Sequence, residues 1–354
     1  MDGIKNILFV RLSSLGDIIL TTPVVNAVHE RFPHASLFYL TKAQYKDLIV
    51  THPFIKKVIC IDSCKGLSGI RDIVSAINKI RAMHIDLVID LHFPGWSLGY
   101  VTLWYFLITS LIKARTRISF KRPSFEQTIR IPADERKHTI DFYVETLKQH
   151  SIALDDKQPQ IFIDKQDEDW SSAQLASKHM PRDGFLIGIC PGASHLTKQW
   201  GKERFRLVCR ELSLNSNNYF LFFEQEKGWD LVRYISRDLD QDKIIYALEF
   251  SLSKVIALMR RCNLVLANDS GLMHVASALG IPTIGLYGPT HPNLGFSPLG
   301  KDSQVLCADV PCSPCSRWGE KKCAINRAIC FDAIKIEDVV KACRNKGGVL
   351  VSSA

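Results

Sequence analysis

A short turn between two hydrophobic segments carries residues that suit the binding of an anion. Asn268-Asp269-Ser270-Gly271 follows the apolar run Leu264–Ala267, a predicted buried strand, and precedes a helix predicted over Leu272–Leu279. The first N–H groups of a helix have no intrahelical partners, so they favour an anion at the helix N-terminus. Gly271 has no Cβ, which lets a diphosphate come close to the backbone. On its own, the segment is equally consistent with an ordinary βα unit that has a polar helix cap.

A second turn has the composition of a phosphate-binding loop. Pro191-Gly192-Ala193-Ser194 follows a strand predicted over Phe185–Cys190, and Lys198 stands four residues beyond Ser194. Backbone N–H groups, a serine hydroxyl and a lysine ammonium are typical donors to phosphate. The spacing differs from that of a P-loop, which excludes a Walker-type site. His274, one turn into the helix after the first loop, either faces the same ligand or is a hydrogen-bonded core histidine.

A carboxylate follows the first predicted strand, Asn6–Val10. The loop after this strand contains Ser13, Ser14, Gly16 and Asp17. At a strand-to-helix junction, an aspartate either complements the dipole of the following helix or acts as a general base. Each loop is a weak signal alone. Two anion-binding turns together with an acid predict a site for a phosphorylated ligand and a proton transfer.

The elements around these loops alternate between strands and helices, which predicts parallel sheets. The predicted strands are Asn6–Val10, Ser36–Leu40, Lys57–Ile61, Asp86–Leu91, Phe185–Cys190, Tyr219–Phe223, Ile244–Tyr246, Leu264–Ala267 and Thr283–Leu286. Helices are predicted over Ile18–Arg31, Lys42–Val50, Ser68–Met83, Lys202–Ser213, Gly228–Asp238, Ser251–Arg261, Leu272–Leu279 and Ile336–Arg344. Ligands of open parallel sheets bind beyond the carboxyl ends of the strands, where all three loops are expected.

Length and charge narrow the function classes. The 354 residues suffice for two domains, and the contents of 46% hydrophobic and 23% charged residues are typical of a folded protein. A net charge of +9 favours an acidic partner. No helix-turn-helix, zinc finger or basic segment interleaved with aromatic residues is present, so we predict no nucleic-acid partner. The start of the chain lacks the layout of a signal peptide, which predicts a cytoplasmic protein with reduced cysteines.

An apolar segment and a cysteine series leave alternatives open. Trp96–Ile112 is 17 residues without a charge, followed by basic residues from Lys113 to Arg122. It is either a buried helix of the first domain or a helix in the membrane interface, and a transmembrane helix is least favoured. The cysteines have the spacing C-x2-C-x7-C-x6-C and are Cys312, Cys315, Cys323 and Cys330. Four thiolates suffice for a structural zinc site, while reduced or disulfide-capable loop cysteines are the alternative.

Taken together, the three loops resemble the heptosyltransferases of lipopolysaccharide core assembly, glycosyltransferase family 9. The matching segments run from Arg11 to Pro23, from Pro191 to Trp200 and from Asn268 to Thr290. The resemblance implies the α/β GT-B fold, with two Rossmann-like domains that face each other across a cleft. We expect an acceptor-binding domain at 1–165 and a nucleotide-sugar-binding domain at 180–330. A C-terminal helix and tail occupy 331–354, and packing back on the N-terminal domain is one option for them.

The resemblance also assigns roles to individual residues. Asp17 resembles a catalytic base that takes the proton from an acceptor hydroxyl as it attacks the anomeric carbon of ADP-heptose, with inversion. Lys198 resembles the catalytic residue that contacts the donor phosphate. The resemblance implies that the reaction requires no metal ion or cofactor. The remaining predicted substrate-binding residues are Ser13, Ser14, Gly16, Ser194, Asp269, Ser270, Gly271 and His274.

The implied partners are ADP-heptose, the acidic lipid A–core acceptor and the anionic surface of the inner membrane. These partners imply that the protein is peripheral, on the cytoplasmic face of that membrane. The segment Phe222-Phe223-Glu224-Gln225-Glu226 departs from the family, in which glycine and a small or acidic residue often stand here. Because of this departure, the sequence does not determine the nucleobase or the sugar of the donor. Both Glu224 and Glu226 are candidate contacts to the donor. The alternative functions are transfer from another nucleotide-sugar, nucleotide-sugar epimerisation, and nucleotide binding without catalysis.

Overall fold

Residues 3–62, 66–93, 110–178, 180–181, 183–320 and 322–346 are described by a computed structural model of the chain. The chain divides into two compact units, Met1–Phe162 and Ile163–Ala354. The apolar segment Trp96–Ile112 lies outside the described residues, apart from its last three. No helix within these ranges combines the length and the apolar character needed to span a membrane.

The first unit is built on a five-stranded parallel sheet with the strand order β3-β2-β1-β4-β5. Its strands are β1 (Asn6–Val10), β2 (Ser36–Lys42), β3 (Ile55–Ile61), β4 (Leu87–Asp90) and β5 (Thr116–Ser119). Its helices are α1 (Leu15–Ile19), α2 (Thr22–Arg31), α3 (Gly66–Arg81), α4 (Phe125–Arg130) and α5 (Thr139–Gln149). Val10 pairs with Leu40 on one side and with Asp90 on the other, so the loop after β1 opens where the strand order reverses. Such a switch point is where open α/β sheets bind ligands.

The helix predicted over Ile18–Arg31 is in fact two helices. α1 ends at Ile19, and α2 begins at Thr22 with Pro23 in its first turn. Proline has no N–H to donate to the Ile19 carbonyl four residues earlier, and Thr22 Oγ1 donates to that oxygen instead, at 2.9 Å. The helical stretch predicted over Lys42–Val50 forms as a 3-10 helix at Ala43–Leu48.

The second unit contains a six-stranded parallel sheet with the order β11-β10-β9-β6-β7-β8. Its strands are β6 (Phe185–Cys190), β7 (Asn218–Phe223), β8 (Ile244–Ala247), β9 (Leu264–Asn268), β10 (Thr283–Tyr287) and β11 (Ser303–Cys307). Its helices are α6 (Lys165–Ala176), α7 (Lys202–Ser213), α8 (Trp229–Ser236), α9 (Leu252–Met259), α10 (Gly271–Ala278), α11 (Ile329–Asp332) and α12 (Ile336–Lys346). β6 and β9 are neighbours at the reversal of strand order, so the loops after both strands open at one place.

The C-terminal helix α12 belongs to the core of the second unit. Val339 and Val340 are buried in the same apolar cluster as Phe205 of α7 and Phe331 of α11. The option that the segment 331–354 packs on the N-terminal domain stays a prediction. An amphipathic helix is held by burial of its apolar face, and here that face meets α7.

Candidate active site

Asp17 is buried beside Arg11 at the carboxyl edge of the first sheet. Its Oδ1 lies 2.9 Å from Arg11 Nη2. Its Oδ2 accepts hydrogen bonds from Ser14 N at 3.0 Å and from Ser14 Oγ at 2.8 Å. Ser14 is the N-cap of α1 and Asp17 is the third residue of that helix, so the local helix start holds the carboxylate in place.

The surroundings keep the Asp17 carboxylate ionised. Burial by itself would raise the pKa of Asp17, because it removes water from the charged form. The Arg11 guanidinium and the two Ser14 hydrogen bonds outweigh burial, and the pKa of Asp17 lies below its ordinary value of 3.8. Asp17 is therefore an anion at neutral pH, which is the form required of a general base.

Three residues near Asp17 were missing from the predicted set. The Leu91 carbonyl oxygen accepts from Arg11 Nη1 at 2.7 Å and from the Tyr143 hydroxyl at 3.1 Å, so Tyr143 helps to hold the ion pair. Burial raises the pKa of Tyr143 to about 12. Burial, with Arg11 nearby, lowers the pKa of His92 to about 4, so His92 is neutral at physiological pH. Arg11 and His92 directly follow predicted strands, and this position in the sequence could have identified them as candidate site residues.

In the second unit, two of the predicted site residues form an ion pair. Lys198 Nζ lies 2.8 Å from Asp269 Oδ2, and Thr290 Oγ1 donates to the same oxygen at 2.7 Å. Lys198 is 9% exposed and Asp269 is 7% exposed, so the pair is almost fully buried. The loops after β6 and β9 thus bring a cation and an anion to one point.

Asn268 joins the two loops that carry this pair. Its Oδ1 accepts from Trp200 N at 3.0 Å, and its Nδ2 donates to the Pro191 carbonyl at 2.6 Å. Asn268 is fully buried, as is the Trp200 side chain. The amide therefore completes the hydrogen bonding of two backbone groups and fixes the distance between the loops.

The start of α10 presents groups that suit an anion. Ser270 is the N-cap residue, and its hydroxyl oxygen is buried without a hydrogen bond to any part of the chain that the structure describes. Gly271 is the first helical residue, and His274 is buried further along the helix. Ser194 is exposed in the neighbouring loop. Of the predicted residues near Asp17, Ser14 is exposed, Ser13 is half-buried and Gly16 is buried.

The geometry separates Glu224 from Glu226. A Cβ added to Gly192 would overlap the Glu224 carboxylate, so this side chain lies directly over the loop that follows β6. Glu226 is exposed at the start of a 3-10 helix. Phe222 and Phe223 are fully buried, so the bulky residues of this segment belong to the core. Glu224 is therefore the better candidate for a contact to the donor.

The cysteine-rich segment 312–330 contains free thiols. Burial raises the pKa of both Cys315 and Cys330. Within the described residues, none of the four cysteines of the series forms a disulfide. Across the described ranges, no three His, Cys, Asp or Glu side chains lie close enough together to hold a metal ion.

Comparison with known proteins agrees with this architecture. Residues 103–325 match the family model described as glycosyltransferase family 9 (heptosyltransferase). Lipopolysaccharide heptosyltransferase 1 of Pseudomonas aeruginosa is 25% identical to this chain over 322 residues. The aligned region covers 87% of this chain and 85% of that protein. Two solved structures share the fold. The glycosyltransferase family 9 protein of Veillonella parvula has a TM-score of 0.79, with 24% identity and 97% of each chain covered. The E. coli ADP-heptose lipopolysaccharide heptosyltransferase II has a TM-score of 0.71, with 17% identity and 97% and 98% of the chains covered. The expected GT-B class, with two parallel-sheet α/β domains, is confirmed.

Proposed function

Because the chain belongs to glycosyltransferase family 9, the heptosyltransferases, and is thus a glycosyltransferase, we propose that it transfers a heptose from ADP-heptose to the lipid A–core acceptor of lipopolysaccharide. The observation that carries this proposal is the buried Lys198–Asp269 pair beside the N-terminus of α10. The names of the Pseudomonas and E. coli relatives support the sugar, the donor and the acceptor class.

The second unit binds the donor in this proposal. Lys198 and the first N–H groups of α10 stabilise the negative charge that develops on the diphosphate as it leaves. The carboxylates of Asp269 and Glu224 accept hydrogen bonds from donor hydroxyl groups. The other proposed donor contacts are Ser194, Ser270, Gly271 and His274. The buried, unsatisfied hydroxyl of Ser270 supports this assignment, because a ligand would provide its missing partner.

The first unit provides the base. Asp17 accepts the proton of an acceptor hydroxyl while the oxygen bonds to the anomeric carbon and the bond from that carbon to the diphosphate breaks. Attack opposite the leaving group inverts the anomeric configuration, through an oxocarbenium-like transition state. A carboxylate with a low pKa is a weak base toward a neutral hydroxyl. The hydroxyl becomes much more acidic as the new C–O bond forms, so late proton transfer matches the low pKa of Asp17. Ser13, Ser14 and Gly16 complete the acceptor loop.

The charge of the chain supports an anionic acceptor at an anionic surface. Lys113, Arg115 and Arg117 are exposed around strand β5, which lies at an edge of the first sheet. Cations at a bilayer surface attract acidic lipid headgroups within about one Debye length, roughly 8–10 Å at physiological salt. We propose that this tract holds the protein peripherally at the cytoplasmic face of the inner membrane, next to its lipid-linked acceptor.

A transfer assay with defined substrates tests the proposal. The purified chain is incubated with ADP-heptose and a heptose-free lipid A–core acceptor, and products are identified by mass spectrometry. We expect the acceptor to gain one heptose, with ADP released, and the new anomeric centre to have the configuration opposite to that of the donor by NMR. ADP-glucose and UDP-sugars serve as control donors in place of ADP-heptose. Transfer from one of these instead would contradict the donor assignment, and conversion of the donor without acceptor would indicate an epimerase.

A further inference from the structure

Part of the cysteine-rich segment lies against the side chain of Lys198. We infer that residues 316–320, here called the strap, position the Lys198 ammonium for the donor diphosphate. This inference rests on the proposed function, because it takes Lys198 to be the phosphate contact. The strap would then have a function apart from that of the neighbouring cysteines.

Thr197 anchors the strap next to Lys198. Its Oγ1 donates to the Glu320 carbonyl at 2.6 Å and accepts from Glu320 N at 3.1 Å. One hydroxyl thus satisfies both backbone groups of a residue 123 positions away in the sequence. The residue beside the lysine is therefore tied to the strap by a reciprocal pair of hydrogen bonds.

Gly319 brings the strap backbone onto the lysine stem. A Cβ at this position would lie 2.8 Å from both Cγ and Cδ of Lys198, and 3.2 Å from His195 Cβ. Gly319 has a φ of +88°, a conformation that favours glycine. The hydroxyl of Ser316, which is buried, accepts from Gly319 N at 2.9 Å and stabilises this turn. Only a residue without a side chain fits between the turn and the lysine.

The packing explains how a long, flexible side chain can act at a defined point. A lysine in solvent samples many rotamers and loses that freedom when it binds a phosphate. The strap confines the stem of Lys198, and its ammonium already lies on Asp269. Pre-organisation of this kind raises affinity by reducing the ordering cost of binding. Thr197 and Gly319 are thus positioning residues for the donor diphosphate.

Substitutions of Thr197 test the inference, with ADP as the probe for the diphosphate and adenosine as the probe without it. Thr197→Val removes the hydroxyl and keeps the shape of the side chain, while Thr197→Ser keeps the hydroxyl. We expect Thr197→Val to weaken ADP binding on the order of tenfold, as for loss of a contact worth about 1–1.5 kcal/mol. Adenosine affinity should stay unchanged, Thr197→Ser should restore ADP affinity, and KM for ADP-heptose should rise more than kcat falls.

Control variants separate the possible outcomes. Ser213→Ala removes a hydroxyl that donates to the Arg210 carbonyl in α7 and should leave ADP binding unchanged. Gly319→Ala, which forces a methyl group against the lysine stem, should weaken ADP binding as Thr197→Val does, and provides the test if that variant does not fold. If Lys198→Ala binds ADP normally, the proposed function fails. If Lys198→Ala loses ADP affinity while both strap variants retain it, or if the strap variants lose ADP and adenosine equally, the strap inference is overturned and the proposed function stands.

Discussion

Replacement of Arg11 by methionine should destabilise the protein at neutral pH and much less in acid. Methionine fills the space of the arginine stem but leaves Asp17 buried without its cation, which lies 2.9 Å away in the native protein. The Leu91 carbonyl, which also loses a donor, keeps the hydrogen bond from Tyr143. Removal of one partner of a buried ion pair costs about 3–5 kcal/mol. Since Ser14 still donates two hydrogen bonds to the carboxylate, we expect the lower end, about 3 kcal/mol.

The pH dependence of this loss follows from the pKa of Asp17. In the native protein that pKa lies below the ordinary value of 3.8, so the group contributes stability above pH 3.8 that is lost as pH falls through the lower folded pKa. Burial is the largest influence on Asp17, and without Arg11 it should raise the folded pKa above the unfolded one. The penalty in the variant is then present above the raised pKa and disappears as the carboxyl is protonated.

Urea denaturation of four proteins between pH 4 and pH 8 measures the stability lost by Arg11→Met at neutral pH and the decrease of that loss in acid. The set consists of the native chain, Arg11→Met, Asp17→Asn and the double variant. The double variant should recover most of the stability lost by Arg11→Met, because no buried charge is then left without a partner. Arg206→Met, which breaks an exposed ion-pair cluster, is the surface control and should show little pH dependence. An Arg11→Met protein as stable as the native one, or a loss that is equal at every pH, would refute the electrostatic argument.

Three further predictions concern packing, the loop frame and catalysis. Phe331→Ala should lower the free energy of unfolding by about 3–5 kcal/mol, measured by denaturation, because the ring is fully buried in the second core. Asn268→Ala leaves Trp200 N and the Pro191 carbonyl without hydrogen-bond partners, which should lower the free energy of unfolding by about 1–3 kcal/mol for each group. Calorimetry should also show weaker ADP binding by this variant. In pH–rate profiles, kcat/KM should show no acidic limb from Asp17 above about pH 4, because the pKa of that group is lowered below 3.8.

The sequence predicted the central strands of both sheets and two of the four edge strands, β3 and β8. β6 and α7 have the predicted bounds, because the apolar run and the helical periodicity of a buried element are both distinct. Strands β5 and β11 were missed. Both lie at sheet edges, where half-exposed residues replace the continuous apolar run of a central parallel strand.

The positions of the site residues were predictable, while their contacts were not. Asp17, Lys198 and Asp269 follow predicted strands, and parallel sheets collect such residues at their carboxyl edges. The pairing of Lys198 with Asp269 depends on side-chain geometry that spacing does not define. The contact of Gly319 with Lys198 joins segments far apart in the sequence, and no local pattern indicates it.

The central claim is that Asp17 acts as the base while the second unit binds the donor independently of it. Asp17→Asn keeps the size of the side chain and removes its basicity. Steady-state kinetics and ADP calorimetry on this one variant test the claim most directly. We predict that kcat falls by about 10²–10⁴-fold while the Kd for ADP stays within twofold of the native value. A kcat close to that of the native enzyme would contradict the account.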